Sequence, residues 1–366
     1  MKKSVALPAL SVCFIFAESA LCAQSVSTSA DLAAAFNNGS SSSITIASDI
    51  TAADYLNSRA SDITLNGSSG ILTLNGYKFV FMPNWNDGLS ADISNMQIAG
   101  ATSGAIELGG DGQGDHNYTI SGSNFTNNKN SQNGGAIYSH AQSHGGVRNY
   151  VFTGNVFNLN SAANGGALYN ASNNSQMPVF FNITGGSFNA NSAINGNGGA
   201  IYNATNYGSG SGLNNGFTIG TQANKILFTN NSAPVGYGGA IYNFVNNPSS
   251  GGTSEINIFG DFQGNSAANG GSVVNHVEGG NGSNSVSVGI GGNFSGNSAG
   301  NNGGAVANYV GLSGNAPYGG LNIFDFTYAD FTNNAAGTDG GAIYNYFNSG
   351  GSSGQVNVGG NGILFS

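Results

Sequence analysis

Asp111, Asp115 and His116 stand together in "GGDGQGDHN", and the chain then offers His140, His144 and Arg148 in "SHAQSHGGVRN". Carboxylates grouped with imidazoles are donors a divalent cation accepts, and a guanidinium beside them would hold an anion. Aligning Tyr118 with Tyr150 sets His116 level with Arg148, so Asp111, Asp115, His140, His144 and Arg148 are expected to share one loop face as a weak metal or anion site. A calcium β-roll would need the Gly-Gly-Asp-Gly stretch in consecutive copies, and it occurs once. Chemistry beyond that is thinly provided. A polysaccharide lyase needs acidic calcium ligands with an Arg or Lys base, and a glycosidase needs two carboxylates about 5–10 Å apart, whereas most acids here stand alone. No nucleophile elbow leading from a strand into a helix is recognised, nor ranks of Thr-x-Thr suited to ice. The expectation is a protein without catalytic residues or cofactors. The alternative is a secreted carbohydrate-active enzyme using Asp111, Asp115, His116 and Arg148.

The elements that would position these groups follow from composition and repetition. The chain has 366 residues, 61 of them glycine, with only 6% charged yet 39% apolar, including 22 Phe and 15 Tyr. That balance fits neither a helical enzyme nor a charged disordered tail. Gly-Gly steps begin at Gly134, Gly165, Gly198, Gly238, Gly270, Gly303 and Gly340, with a degenerate copy at Ser103-Gly104, a period near 33 residues. A phenylalanine precedes each pair by 8 to 10 residues, while the other arm varies from 23 to 30. Length variation confined to one arm is what loops on a rigid solenoid show. Segments such as "SVVN", "SVSVGI" and "NFSGN" predict three strands per unit, and one unit is then one coil of a right-handed parallel β-helix.

Stacked coils turn repeated positions into columns. Phe125, Phe157, Phe188, Phe228, Phe262, Phe294 and Phe331 are expected to form an internal aromatic stack. Asn128, Asn160, Asn191, Asn231, Asn265, Asn297 and Asn334 are expected to form an amide ladder at a turn. The glycine pair permits a positive φ. Ile137, Leu168, Ile201, Ile241, Val273, Val306 and Ile343 should point inward, and strand alternation then sends Tyr138, Tyr169, Tyr202 and Tyr242 outward. These rings, with the loops after each GGAIY segment, are the expected partner-binding surface, unless the rings pack beneath those loops.

Residues 1–23 read as a signal peptide: Lys2 and Lys3 precede an apolar stretch too short to span a membrane, and "ALCAQS" offers cleavage after Ala23. Export to a bacterial cell surface, outer membrane or medium is therefore expected. Both cysteines, Cys13 and Cys22, fall in this segment. Its removal leaves 5 basic against 15 acidic side chains, a formal charge of −10. Scattered Arg59, Lys78, Lys129, Arg148 and Lys225 make nucleic acid an improbable partner. Residues 24–100 lack the repeat and read as an N-terminal cap, with a short helix in "SADLAAAFNN" and irregular first coils. Residues 101–366 hold about eight units, the last breaking off as another arm begins at Phe365, where continuation beyond Ser366 or fraying is expected.

Paired FxxN motifs, from Phe125-Asn128 to Phe331-Asn334, with "GGAIY", "GGALY", "GGSVV" and "GGAVA", resemble the chlamydial polymorphic membrane proteins and related autotransporter passengers over residues 93–366. The resemblance implies a surface-displayed β-helix of the pectate-lyase-like superfamily that adheres to a protein or glycan on host or neighbouring cells. It also implies a C-terminal translocating β-barrel, which these residues do not include.

Overall fold

"SITI" and "ITLNG" alternate an aliphatic side chain with a short polar one, the period-two pattern of a strand with one dry face. In the computed structural model these strands, Ser43–Ile46 and Ile63–Gly67, pair in parallel in register. The structure describes residues 23–366 except 38, 40, 55, 69, 85–86, 110–112, 142–145, 176–177, 208–213, 248–252, 280–284, 313–320 and 349–354. The fold is an all-β parallel β-helix. Every inter-strand pairing between its described strands is parallel, and consecutive coils supply consecutive strands of an 18-stranded, a nine-stranded and a six-stranded sheet.

Coils begin before the repeat does. Ala23–Val26, Ser43–Ile46, Ile63–Gly67, Leu89–Ser94 and His116–Ser121 lie successively beside one another. The nine-stranded sheet starts only at Phe79–Phe81 and the six-stranded one at Ser161–Ala162. The early coils are shorter because they lack those faces. Helix α1 (Ser29–Asn37) buries Leu32, Ala33, Ala35 and Phe36. Thr28 Oγ1 accepts from the Asp31 N–H at 3.1 Å as its N-terminal cap. Phe36 meets Phe79 and Phe81 edge-on at 5.1 and 5.8 Å. Buried Arg59 donates to the carbonyls of Phe36, Gly39, Ser41 and Asp62, so it ties the helix C-terminus to the first coils.

The full coil has the three strands predicted, but divides the sequence among them differently. "SVSVGI" and "NFSGN" run as one strand, Ser285–Ser295, and "NSA" supplies a further short one, Ser298–Ala299. Gly292, at φ +113°, bends the long strand without ending its pairing. The phenylalanine column forms as expected, with rings stacked at 4.6–5.0 Å from Phe125 to Phe331 and at 5.3 Å onto Phe365. The amide ladder beside it is fully paired. Asn231 Oδ1 accepts from both the backbone N–H and Nδ2 of Asn191, while its own Nδ2 donates to Asn265 Oδ1 and to the Phe188 carbonyl, all at 3.0 Å.

Glycine pairs serve two purposes. The first residue of each pair has φ between +58° and +69°. The second has an ordinary φ but sits under the next coil: a Cβ on Gly239 would lie 2.1 Å from the Gly271 carbonyl oxygen.

Candidate functional site

Among the described residues the expected polar cluster does not assemble. His116 and Arg148 are register partners, as the tyrosine alignment requires, but both are fully buried on the inward face they share with Tyr118 and Tyr150. Strand alternation decides this: two residues before an inward ring is again inward. Arg148 Nη1 donates to the Gly114 carbonyl at 2.6 Å, and exposed Asp115 accepts from the Val147 N–H at 2.7 Å. His140 lies elsewhere, on the outer side of the nine-stranded sheet beside Tyr138 and Glu107. Asp111 and His144 fall outside the described residues, as do residues 1–22 of the expected signal peptide and most of the loops after the GGAIY segments. Among the described residues no group of three His, Cys, Asp or Glu side chains is arranged to hold a metal ion. Nor is any helix among them long and apolar enough to cross a membrane.

Organised side chains concentrate on that outer side of the nine-stranded sheet. Ile137, Tyr138, Ser139 and His140 alternate in and out, and parallel register repeats the pattern coil after coil. The tyrosine column lies off the main core, as alternation predicts, but it is not the open ladder expected of a contact surface. Tyr138, Tyr169 and Tyr202 are half-buried, and Tyr242 is only 4% exposed. Val274 and Ala307 continue the column, and Tyr237, Phe244, Tyr309 and Tyr344 pack against it as a second apolar cluster. Two features close it over Tyr242. Tyr237, at 5.9 Å, takes the place before the glycine pair where the adjacent coils carry Asn197 and Asn269, and the position two residues beyond Tyr242 carries Phe244, His276 and Tyr309 in successive coils.

Burial shows in the titrations. It raises the Tyr169, Tyr202 and Tyr242 phenols, with smaller contributions from neighbouring tyrosines and, for the latter two, Glu278. Tyr309 is pushed up to about 12 by the same cause. Burial lowers His276 against the opposing pull of Glu278, and its Nδ1 lies 2.9 Å from Tyr242 Oη.

At the N-terminal end the column changes character. Glu107 is the register partner of Tyr138, ion-paired with Lys78 and 3.4 Å from His140 Nε2. The His140 hydrogen bond holds its carboxyl down to about 2, with Lys78 helping and burial opposing. A carboxyl held there stays an acceptor and cannot deliver a proton near neutrality.

Sequence reasoning missed Glu107 and Lys78. The signal was present: "SGAIE" copies "GGAIY" with glutamate in the tyrosine position. It also missed a second amide ladder, just after the tyrosines and facing inward. Ser139 donates to Asn170 at 2.6 Å, Asn170 to Asn203 at 2.7 Å, and Asn243 to Asn275 to Asn308 at 2.9 and 2.8 Å.

The Chlamydia polymorphic membrane protein repeat is matched at residues 122–140, 225–243 and 329–346. Each stretch runs from an FxxN arm through the glycine pair into the nine-stranded sheet. The chain thus carries repeats of the chlamydial polymorphic membrane protein type. No curated protein and no solved structure matches it.

Proposed function

We propose that the chain is the surface-displayed, autotransporter-like passenger of an exported protein, and that it adheres without catalysis to a protein or glycan on host or neighbouring cells. The observation that carries this reading is the outer band of the nine-stranded sheet. Half-exposed rings of Tyr138, Tyr169 and Tyr202 run along consecutive coils. Tyrosine offers contact area at low entropic cost, and repetition lets weak contacts act together. Buried Tyr242 contributes by supporting the band rather than by touching a partner.

The test uses purified residues 24–366 on cultured cells, with calcium-supplemented acidic polysaccharides assayed in parallel for released reducing or unsaturated ends. Saturable binding that weakens several-fold in the Tyr169→Ala, Tyr202→Ala double variant, without turnover, upholds the reading. Turnover abolished by Asp115→Ala would overturn it in favour of a carbohydrate-active enzyme.

A further inference from the structure

Where the band begins, a cleft of about 280 Å³ is lined by Lys78, Glu107, Asn130, Gln132, Asn133 and Tyr138 among others. That volume lies near the lower end for ligand pockets, roughly 300–1,000 Å³. Tyr138 presents a half-buried ring stacked on His140 at 5.1 Å with 26° between the planes. Glu107 supplies a fixed acceptor and Lys78 a fixed donor. The amides beside them are partly committed: Asn130 Nδ2 donates to the Asn133 carbonyl at 2.7 Å, and Asn133 Oδ1 accepts from Asn164 at 3.0 Å. Gln132 is exposed.

These groups define a ligand chemistry. An aromatic face suits the C–H face of a pyranose, and a carboxylate beside an ammonium and amides suits adjacent hydroxyls, each both donor and acceptor. An acidic sugar would bring its charge against Glu107. An apolar ligand would strip water from the Lys78–Glu107 pair and return no hydrogen bonds. The geometry points to a subsite for one or two rings of a neutral glycan, built from Tyr138, Glu107, Lys78 and Gln132. This rests on the adhesion reading above and names its ligand class. The Glu107 carboxylate, paired with Lys78, acts as a hydrogen-bond acceptor for sugar hydroxyls.

Ligand-observed saturation-transfer NMR on residues 24–366 tests this, with the methyl glycosides of glucose, galactose, mannose and N-acetylglucosamine and methyl glucuronide as probes. At least one neutral glycoside should bind saturably. Glu107→Gln should weaken it about tenfold or more, as expected when a charged hydrogen-bond partner is lost. Gln132→Ala, a change at an exposed side chain, should weaken it several-fold and reads the cleft even if Glu107→Gln folds poorly. Lys225→Met, at an ion pair with Asp261 remote in sequence, should leave it unchanged. No saturable neutral glycoside, equal affinity in Gln132→Ala and the parent, or preference for the glucuronide overturns the subsite. Cell binding that persists without glycoside binding removes the subsite and leaves adhesion standing. Glycoside binding without cell binding does the reverse.

Discussion

Two aromatic columns run through the same coils, and they are built differently. The inner phenylalanines stack with interplanar angles of 6–13° from Phe125 to Phe331. The outer tyrosines are tilted by 40° between Tyr138 and Tyr169, 17° between Tyr169 and Tyr202, and 50° between Tyr202 and Tyr242, after which the column passes to Val274 and Ala307. The difference lies in what adjoins each. Beside the phenylalanines an asparagine in every coil bonds the coils on either side, so the ring spacing is imposed by the backbone. An amide ladder adjoins the tyrosines as well, but it faces inward, on the opposite side of the strand, and the rings settle against outer neighbours that change from coil to coil. A repeat therefore conserves geometry where rings and amide ladder are both buried and lets the outer face diversify.

The largest expected effect comes from removing one rung. Asn231→Ala would strip the Asn191 backbone N–H and the Phe188 carbonyl of side-chain partners inside a dry column. Each orphaned buried group costs about 1–3 kcal/mol, so a loss of about 3–5 kcal/mol is expected, comparable to ~3–5 for Phe228→Ala. In a stacked repeat the damage should be local, and hydrogen exchange should show lost protection centred on residues 188–265. Uniform loss along the chain would show that the coils unfold as one unit and the ladder does not act rung by rung.

The second test concerns the glycine that allows the coils to approach. Gly239→Ala places a methyl 2.1 Å from a backbone oxygen, and overpacking of this kind costs about 1–3 kcal/mol. Gly341 holds the same place in the repeat, but a Cβ there would meet nothing nearer than the Asn334 carbonyl oxygen at 3.8 Å. Gly341→Ala should shift the denaturation midpoint little. Equal shifts would mean that the second glycine is needed for backbone freedom rather than for clearance.

How much of this was legible in the sequence depends on which face is considered. Phe228, Asn231 and Gly238 could be assigned from spacing alone because identical residues recur wherever parallel coils impose identical surroundings. The outer face was legible only in direction. Tyr242 is sealed by Tyr237, which stands where the adjacent coils carry Asn197 and Asn269, and by His276 one coil on, and no periodicity reports such cross-coil packing. The cluster around His116 was misplaced although its register was right, because loop-like composition outweighed the parity that ties His116 to inward Tyr118. Glu107 was hidden in the degenerate copy, where the repeat is weakest and the residue most unlike its column.

Alkali should separate the two columns. Tyr202 and Tyr242 are held well above the ordinary phenol value near 10, and Tyr309 at about 12, chiefly by burial. In the unfolded chain these phenols lose their protons near pH 10. The folded state keeps them longer, so their contribution to stability is full below about pH 10 and falls as pH rises from there towards 12. The phenylalanines do not titrate. Tyrosinate absorbance should rise late and together with lost protection in the nine-stranded sheet, while the amide ladder holds longer. Early, independent ionisation of all the tyrosines would mean that the outer column is open to water, unlike the inner one.

The smallest effect sharpens the account of the ladder itself. The residue before each ladder asparagine adopts a left-handed conformation, and it differs from coil to coil: Asn127, Leu159, Ala190, Asn230, Gly264, Gly296 and Asn333, with φ between +51° and +62°. Glycine and asparagine tolerate this region, whereas a leucine there carries roughly 1–2 kcal/mol of strain. Leu159 is 52% exposed, so its side chain returns little burial for that strain. Leu159→Gly relieves the strain but adds about 0.5–1 kcal/mol of backbone entropy in the unfolded chain. The net expectation is a gain of about half a kcal/mol, seen as a small rise in the denaturant midpoint with an unchanged slope. Gly296→Leu should move the midpoint the other way by a similar amount, because Gly296 holds the same turn without strain. If Leu159→Gly destabilises instead, the turn is held by leucine packing and the asparagine rung follows it. A gain places the constraint in the rung, with the left-handed residue strained to serve it.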